Sequence, residues 1–194
     1  MNFLAHAWLA RSSNELIFGG LIADFVKGRL TNQFPVTIKE GILLHRRIDK
    51  FCDHHPTSFQ FRESLPNGTR RFAGIILDIA YDHLLARDWQ QYNATPLDQF
   101  AQSTYRVIES FDEYLPENSK VVMSRMIERD WFSRYQNIDT LKTALEYTAK
   151  RFSKGEALLE YTQSIETELK EIERLFSQFW PEIIRADLRQ EPLQ

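Results

Sequence analysis

The chain has 194 residues and a net charge of −3 at neutral pH, and 43% of its residues are hydrophobic, which excludes a disordered chain and supports one well-packed domain. Its apolar runs fall short of the ~18 residues that cross a bilayer, its start lacks signal-peptide features, and Cys52 is its only cysteine. It contains no run of basic residues, so we expect a cytoplasmic protein with neither a membrane nor a nucleic-acid partner.

Helix-start signals recur along the chain, whereas the alternating pattern typical of strands is absent. Ser12 and Glu15 have the spacing of a capping box, and Thr95 precedes a proline at a first helical position. We expect an all-α fold, a single-domain helical bundle over residues 1–194. The pattern predicts helices over residues 3–10, 14–29, 38–54, 69–90, 96–110, 117–132, 138–152 and 156–189.

The last predicted helix carries an apolar stripe at heptad-like spacing from Ile165 to Ile183. We expect this stripe to pack on its own domain, with a dimer seam as the alternative. Pro181 is expected to kink or break the helix, because proline removes a backbone donor.

Metal-binding residue types interrupt the apolar segments of the first half. His6 is the one polar residue of 3–10, and Asp24 is the one polar residue of 16–26. Burying such groups is costly unless they are paired or bind a metal. The predicted helices 38–54 and 69–90 add five more: His45, Asp49, Asp78, Asp82 and His83.

Spacing places several of these residues on shared helix faces. His45 and Asp49 lie one turn apart within an apolar arc, and Asp78 and Asp82 are also one turn apart. The alternatives are a buried His–Asp hydrogen bond for the first pair and a shared proton for the second. Taken together, the segments predict one metal site within residues 1–90, with these candidate ligands: His6, Asp24, His45, Asp49, Asp78 and Asp82.

The types of candidate ligand limit which metals the site can bind and which reaction it can catalyse. Nitrogen and oxygen donors without thiolate suit Mn²⁺, Fe²⁺, Mg²⁺ or Zn²⁺. A closed structural zinc site usually includes cysteine, so a catalytic metal is favoured, and the number of ligands also accommodates two metals. Such a site favours hydrolysis at phosphorus.

Three further residues are candidates for substrate contact. Arg46 neighbours His45 and would neutralise charge on a phosphoryl group. His55 ends its helix and either contacts the substrate or stabilises the helix end. His83 lies about 100° around the helix from Asp82, so it either joins the site or points elsewhere.

Charge is distributed unevenly between the two halves. Residues 1–97 contain 11 Lys and Arg against 9 Asp and Glu, whereas residues 98–194 contain 13 against 18. A basic first half suits an anionic substrate or an acidic partner, although chance accounts for such an asymmetry equally well.

Four segments in order resemble the acyl-carrier-protein phosphodiesterase family: Asn2–His6, Gly20–Gly28, Gly41–Pro56 and Asp78–His83. The resemblance implies an all-helical fold that is like the histidine–aspartate (HD) phosphohydrolase domain. It also implies a Mn²⁺-dependent hydrolase, with Mg²⁺ or Fe²⁺ as other candidates. The enzyme would cleave holo-acyl carrier protein into apo-acyl carrier protein and 4′-phosphopantetheine.

On this resemblance we predict that Asp24, His45 and Asp49 are the catalytic residues. The acidic carrier protein would be the partner of the basic first half. The pair here is Asp82-His83 and not the His-Asp of typical HD enzymes, so the ligand set is not copied from that superfamily.

Two other functions stay open from the sequence. One is an HD-like phosphohydrolase that acts on a nucleotide or another small phosphoester. The other is a non-catalytic helical protein whose His and Asp residues form a polar core network. The latter binds no metal, and Asp24→Ala would then destabilise it without a separate effect on activity.

Overall fold

The computed structural model describes residues 2–30, 32–186 and 188, and these residues form α-helices and short 3₁₀ turns without a strand. The all-α prediction is therefore confirmed for the described chain. The ten helices are α1 (Phe3–Leu9), α2 (Asn14–Ile22), α3 (Val36–His54), α4 (Pro56–Ser64), α5 (Ala73–Arg87), α6 (Leu97–Ser110), α7 (Lys120–Glu128), α8 (Trp131–Arg134), α9 (Ile138–Ala149) and α10 (Glu156–Arg185).

Helix α5 lies at the centre of the bundle. It packs against α1, α4, α9 and α10, and its apolar side chains are buried on nearly every side. The predicted stripe of α10 is buried against this core, with Ile165, Phe176 and Ile183 almost inaccessible to solvent. The prediction that α10 packs on its own domain is thus confirmed. None of the helices within the described ranges is both long and apolar enough to span a membrane.

Several predicted boundaries differ from the structure. The predicted helix 14–29 ends at Ile22, where the 3₁₀ turn Ala23–Phe25 begins. Helix α4 lies between the predicted helices 38–54 and 69–90, where no helix is predicted, and Pro56 occupies its first position, to which proline is well suited. The predicted helix 117–132 is divided into α7 and α8, because Asp130 has a positive φ of 45°. Helix α10 runs through Pro181 without a break and ends at Arg185, and the predicted end at residue 189 lies outside the described residues.

Helices α2 and α3 are closely packed, and two facing glycines, Gly19 and Gly41, make their close approach possible. A Cβ atom on Gly41 would lie 2.6 Å from the Leu16 carbonyl oxygen and 2.9 Å from the Cα atom of Gly19. A Cβ atom on Gly19 would overlap the Ile38 carbonyl oxygen. Since neither backbone can accept a side chain at this crossing, the two helices approach as closely as their main chains allow.

Gly41→Ala is expected to lower the free energy of unfolding by about 1–3 kcal/mol, because the added methyl group must push α2 and α3 apart. Chemical denaturation measures this loss. The matched control is Gly74→Ala in α5, where a Cβ atom meets nothing within 4 Å. That variant should leave the stability unchanged or raise it by up to ~1 kcal/mol, and equal losses in both variants would contradict the role of the crossing.

Candidate metal centre

Helices α1 and α3 bring two imidazoles and a carboxylate together near the surface. One ligand atom from each of His6, His45 and Asp49 lies within 4.8 Å of the others. Asp49 bridges the two rings, with its Oδ1 3.1 Å from Nε2 of His6 and its Oδ2 3.0 Å from Nε2 of His45. The rings stack with centroids 3.7 Å apart and planes 15° from parallel.

A second carboxylate reaches the cluster from the 3₁₀ turn that follows α2. Oδ1 of Asp24 lies 3.2 Å from Nε2 of His45. The side chain of Asp24 is 65% exposed and that of Asp49 is 39% exposed, whereas both imidazoles are buried. The cluster is therefore buried on its nitrogen side and open to solvent on its oxygen side, where a substrate can approach.

The main chain of α2 fixes the orientation of the His45 ring. Nδ1 of His45 lies 2.8 Å from the carbonyl oxygen of Gly20. Because a carbonyl only accepts hydrogen bonds, Nδ1 must carry a proton and donate it. This leaves Nε2 directed at Asp24 and Asp49, which is the arrangement by which proteins orient a histidine ligand to a metal.

One of the two imidazoles carries a positive charge in the absence of a metal. Burial lowers the pKa of His45, but its hydrogen bonds to Asp24 and Asp49 outweigh this and raise the pKa to about 9. Burial and the neighbouring His45 lower the pKa of His6 to about 4. At neutral pH, His45 is therefore charged and His6 is neutral.

Both carboxylates stay ionised in this setting. Burial raises the pKa of Asp49, but its hydrogen bonds with His45 and His6 outweigh this and hold the pKa well below the usual value. The hydrogen bond from His45 likewise lowers the pKa of Asp24. Once His45 gives up its proton, the two carboxylates and the two neutral imidazoles form a donor set of mixed nitrogen and oxygen ligands that fits a divalent cation.

Arg46 supports the cluster indirectly, through hydrogen bonds to the main chain that follows Asp24. Its Nη2 donates to the carbonyl oxygens of Val26 at 2.9 Å and Gly28 at 3.1 Å. These bonds hold the segment that follows Asp24, which turns at Gly28 with a φ of +76°. The geometry thus gives Arg46 a positioning role toward Asp24, and its predicted contact with the substrate stays a prediction.

The structure does not bring Asp82 into the cluster. Its two carboxylate oxygens accept hydrogen bonds from the backbone N–H groups of Leu4 at 2.8 Å and Ala5 at 3.1 Å. Asp82 therefore satisfies the N-terminal donors of the helix that carries His6. Burial raises its pKa to about 7, although the bonds from Leu4 and Ala5 act in the opposite direction.

The other predicted residues also lie outside the cluster. Asp78 is half-buried one turn before Asp82 in α5, and burial raises its pKa. Nδ1 of His55 lies 2.7 Å from the Thr57 hydroxyl, and its Nε2 lies 3.2 Å from Oε2 of Glu182. Nδ1 of His83 lies 2.7 Å from the Tyr135 carbonyl oxygen.

Sequence reasoning missed the Gly20 carbonyl that orients His45. A main-chain acceptor has no residue type to identify it. The signal that was available is the pair Gly19-Gly20 at the end of an apolar helix, because glycine often marks a close approach of two backbones.

Comparison with known proteins places the chain in a family. The model of the family described as "Acyl carrier protein phosphodiesterase" matches residues 1–183. The chain belongs to the acyl carrier protein phosphodiesterase family. The family match spans the cluster on α1, the turn after α2, and α3.

Curated members of the acyl carrier protein phosphodiesterase family are similar over nearly their whole length. The member from Photorhabdus laumondii is 35% identical, over 93% of this chain and 92% of the relative. The member from Enterobacter sp. is 32% identical, over 95% of this chain and 96% of the relative. The member from Escherichia coli O6:H1 is 32% identical, over 97% and 98%. A comparison with solved structures found no match, so the predicted likeness to the HD fold stays a prediction.

Metal binding is expected to release about one proton per ion near pH 7.5, because His45 must deprotonate to become a ligand. Calorimetric titration with Mn²⁺ in buffers of different ionisation enthalpy measures this number. The release should vanish as the pH passes the His45 pKa of about 9. The matched control is His83→Gln, a buried histidine outside the cluster, which should keep the release.

The direction in which pH changes the stability of the metal-free protein follows from the same pKa. Because folding raises the pKa of His45 from 6.5 to about 9, its contribution to stability is complete below pH 6.5. It is lost as the pH rises through 9. Chemical denaturation of the metal-free protein measures this loss, and a contribution of His45 that is unchanged between pH 6.5 and 9, by comparison with His45→Gln, would contradict this assignment.

Arg46→Ala is expected to weaken Mn²⁺ binding by about tenfold, because the segment that holds Asp24 loses its anchor. A double-mutant cycle by calorimetry tests the route of this effect. In an Asp24→Ala background, Arg46→Ala should cost nothing further. The neighbouring Arg47, which donates to the Leu188 carbonyl, supplies the matched control Arg47→Ala with unchanged affinity.

Proposed function

We propose that the protein is a metal-dependent phosphodiesterase that hydrolyses holo-acyl carrier protein to apo-acyl carrier protein and 4′-phosphopantetheine. The observation that carries this proposal is the cluster of His6, His45 and Asp49 within a chain whose family match spans residues 1–183. A family named for phosphodiester hydrolysis and a donor set for a divalent cation point to the same chemistry. The proposal includes the cytoplasm as the site of action, in keeping with the free thiol of Cys52.

We propose Mn²⁺ as the metal, with Mg²⁺ or Fe²⁺ as alternatives. Two imidazoles favour a transition metal over Mg²⁺, which prefers an all-oxygen shell. His6, His45 and Asp49 would hold the ion, and Asp24 would complete the set from the exposed side. When bound, such a cation lowers the pKa of water and neutralises charge on a phosphoryl oxygen.

The residues of the chain would exclude water from one side of the cluster, accept a proton from the attacking water and hold the geometry of the site. The buried imidazoles exclude water from the inner side of the cluster, so an attacking water enters from the carboxylate side. Asp24 is ionised and is the more exposed carboxylate, and its Oδ1 faces the cluster, so its other oxygen would be left to accept the proton of that water. The new P–O bond would form as the bond from phosphorus to the serine oxygen breaks. The serine oxygen would take up a proton from solvent, and Asp24 would return to solvent the proton that it accepted from the water. His45 and Asp49 hold the geometry in which this happens.

Mass spectrometry of holo-acyl carrier protein incubated with this protein and Mn²⁺ tests the proposal. The phosphopantetheine mass should be lost from the carrier protein, and EDTA, Asp49→Asn and His45→Gln should each abolish the loss. Asp98→Asn changes an equivalent carboxylate in the first turn of α6, away from the cluster, and should retain activity.

The other outcomes separate the alternatives. An intact carrier protein after incubation with folded, metal-loaded protein would refute the proposed function. Hydrolysis of a small phosphoester in its place would support the HD-like phosphohydrolase. Failure to bind any divalent cation would support a polar core network of His6, His45, Asp24 and Asp49.

A further inference from the structure

A cavity with about 300 Å³ of space opens near the C-terminal end of α3, the helix that carries His45 and Asp49. Its walls come from α3, α4, α5 and the 3₁₀ turn Arg70–Phe72. Its charged and aromatic lining consists of two carboxylates, three guanidiniums and two aromatic rings: Asp53, Asp78, Arg62, Arg70, Arg71, Phe59 and Tyr81.

The cavity begins one helical turn from the metal centre. Asp53 follows Asp49 by four residues in α3, so the two side chains lie on the same face of the helix. Burial raises the pKa of Cys52, another wall residue, to about 12, and the charges of Asp78 and Asp49 add to this effect. The cavity and the metal centre therefore lie within electrostatic reach of one another.

The arginines of the rim differ in how far they are engaged. Arg70 donates from Nε to the Leu65 carbonyl at 3.0 Å and from Nη2 to the Glu63 carbonyl at 3.2 Å, so its position is fixed. Arg62 and Arg71 are exposed, and neither forms an ion pair with another residue of the described ranges, although the Arg71 guanidinium lies 4.8 Å from the centre of the Phe72 ring. Two guanidiniums beside the metal centre are thus available to an anionic partner.

An exposed aromatic ring accompanies these charges. Phe59 is 52% exposed, and it precedes Arg62 by three residues in α4, which places both on one face of the helix. Aromatic rings and arginines together are typical of the residues that dominate protein–protein binding.

A protein surface fits this rim better than a single small anion does. Asp53 and Asp78 line the same cavity, so one free anion held between the arginines would lie close to acidic groups. Carboxylates spaced along a partner helix can meet Arg62 and Arg71 at the rim and avoid the acidic wall. An aromatic residue at the rim would then be covered by the same partner.

We propose that Phe59, Arg62 and Arg71 form the docking surface for the acidic carrier protein. This inference rests on the proposed function. Carboxylates of the carrier protein pair with the two guanidiniums while the phosphodiester on its serine reaches the metal centre one turn along α3. The surface therefore determines which phosphodiesters the enzyme accepts, without taking part in bond breaking.

The test combines kinetics with binding of the apo carrier protein, which lacks the phosphodiester and so reports on the docking surface alone. The double variant Arg62→Glu/Arg71→Glu is expected to raise the Kd for apo carrier protein by about tenfold or more at low ionic strength. It should raise the KM for holo carrier protein to a similar extent and change kcat less than about twofold. Added salt should weaken binding by the unaltered protein more than binding by the variant.

Three controls isolate the docking surface. Arg106→Glu reverses an exposed arginine of α6, which packs chiefly on α2 and α8, and should leave Kd and KM unchanged. The affinity for Mn²⁺ should not fall in any variant, because the charge reversal adds negative charge near a cation site. If the double variant fails to fold by circular dichroism, Arg62→Gln/Arg71→Gln replaces it, with a smaller loss expected.

The outcomes distinguish this inference from the proposed function. Active protein whose Kd and KM are unaffected by the charge reversal would overturn the docking surface and leave the function intact. Binding of inorganic phosphate to the metal-free protein that the reversal abolishes, with carrier-protein affinity unchanged, would assign the arginines to a small anion and also overturn it. Absence of carrier-protein hydrolysis by the unaltered enzyme would overturn both.

Discussion

The close crossing of α2 and α3 is the constraint on which the candidate site depends. Gly19 and Gly41 let two main chains approach to a distance that any side chain would prevent. This approach places the Gly20 carbonyl against Nδ1 of His45 and, one turn later, Asp24 against Nε2 of the same ring. Helix α2 and the 3₁₀ turn that follows it thus contact both nitrogens of His45, and Asp49 of α3 also contacts Nε2. The orientation of a metal ligand follows here from backbone sterics and not from the ligand's own packing.

A second buried interaction places the other imidazole. The first N–H groups of α1 have no partners within the helix and would be costly to bury unpaired. Asp82 of the central helix α5 accepts two of them, from Leu4 and Ala5, and so fixes the start of the helix that carries His6. The two stacked rings are therefore positioned independently. The glycine contacts between α2 and α3 position His45, and the buried carboxylate of Asp82 positions the helix that carries His6.

Periodicity and end signals were sufficient to predict the fold class and most of the helices, because amphipathic spacing is a local property. The same reasoning found His6, Asp24, His45 and Asp49, since each is a polar residue on an apolar face. It could not separate Asp82 from them, because a carboxylate that accepts hydrogen bonds from a helix end leaves the same pattern in the sequence as one that binds a metal. The backbone partners of Arg46 could not be predicted for a related reason: they are carbonyl groups about twenty residues earlier, and carbonyls carry no sequence signal.

Charge links the cluster to its surroundings. Without a metal, two ionised carboxylates and one protonated His45 leave a net negative charge where a phosphodiester is to bind, so an anionic substrate is repelled. A divalent cation that displaces the His45 proton would bring the net charge of the cluster to zero and would present a positive ion to the phosphoryl group. Arg62 and Arg71 remain positive in both states, because guanidinium groups do not titrate near neutral pH. Docking of an acidic partner then needs no metal, whereas placement of its phosphodiester does. Recognition and hydrolysis would therefore respond to different variables, the first to ionic strength and the second to metal occupancy.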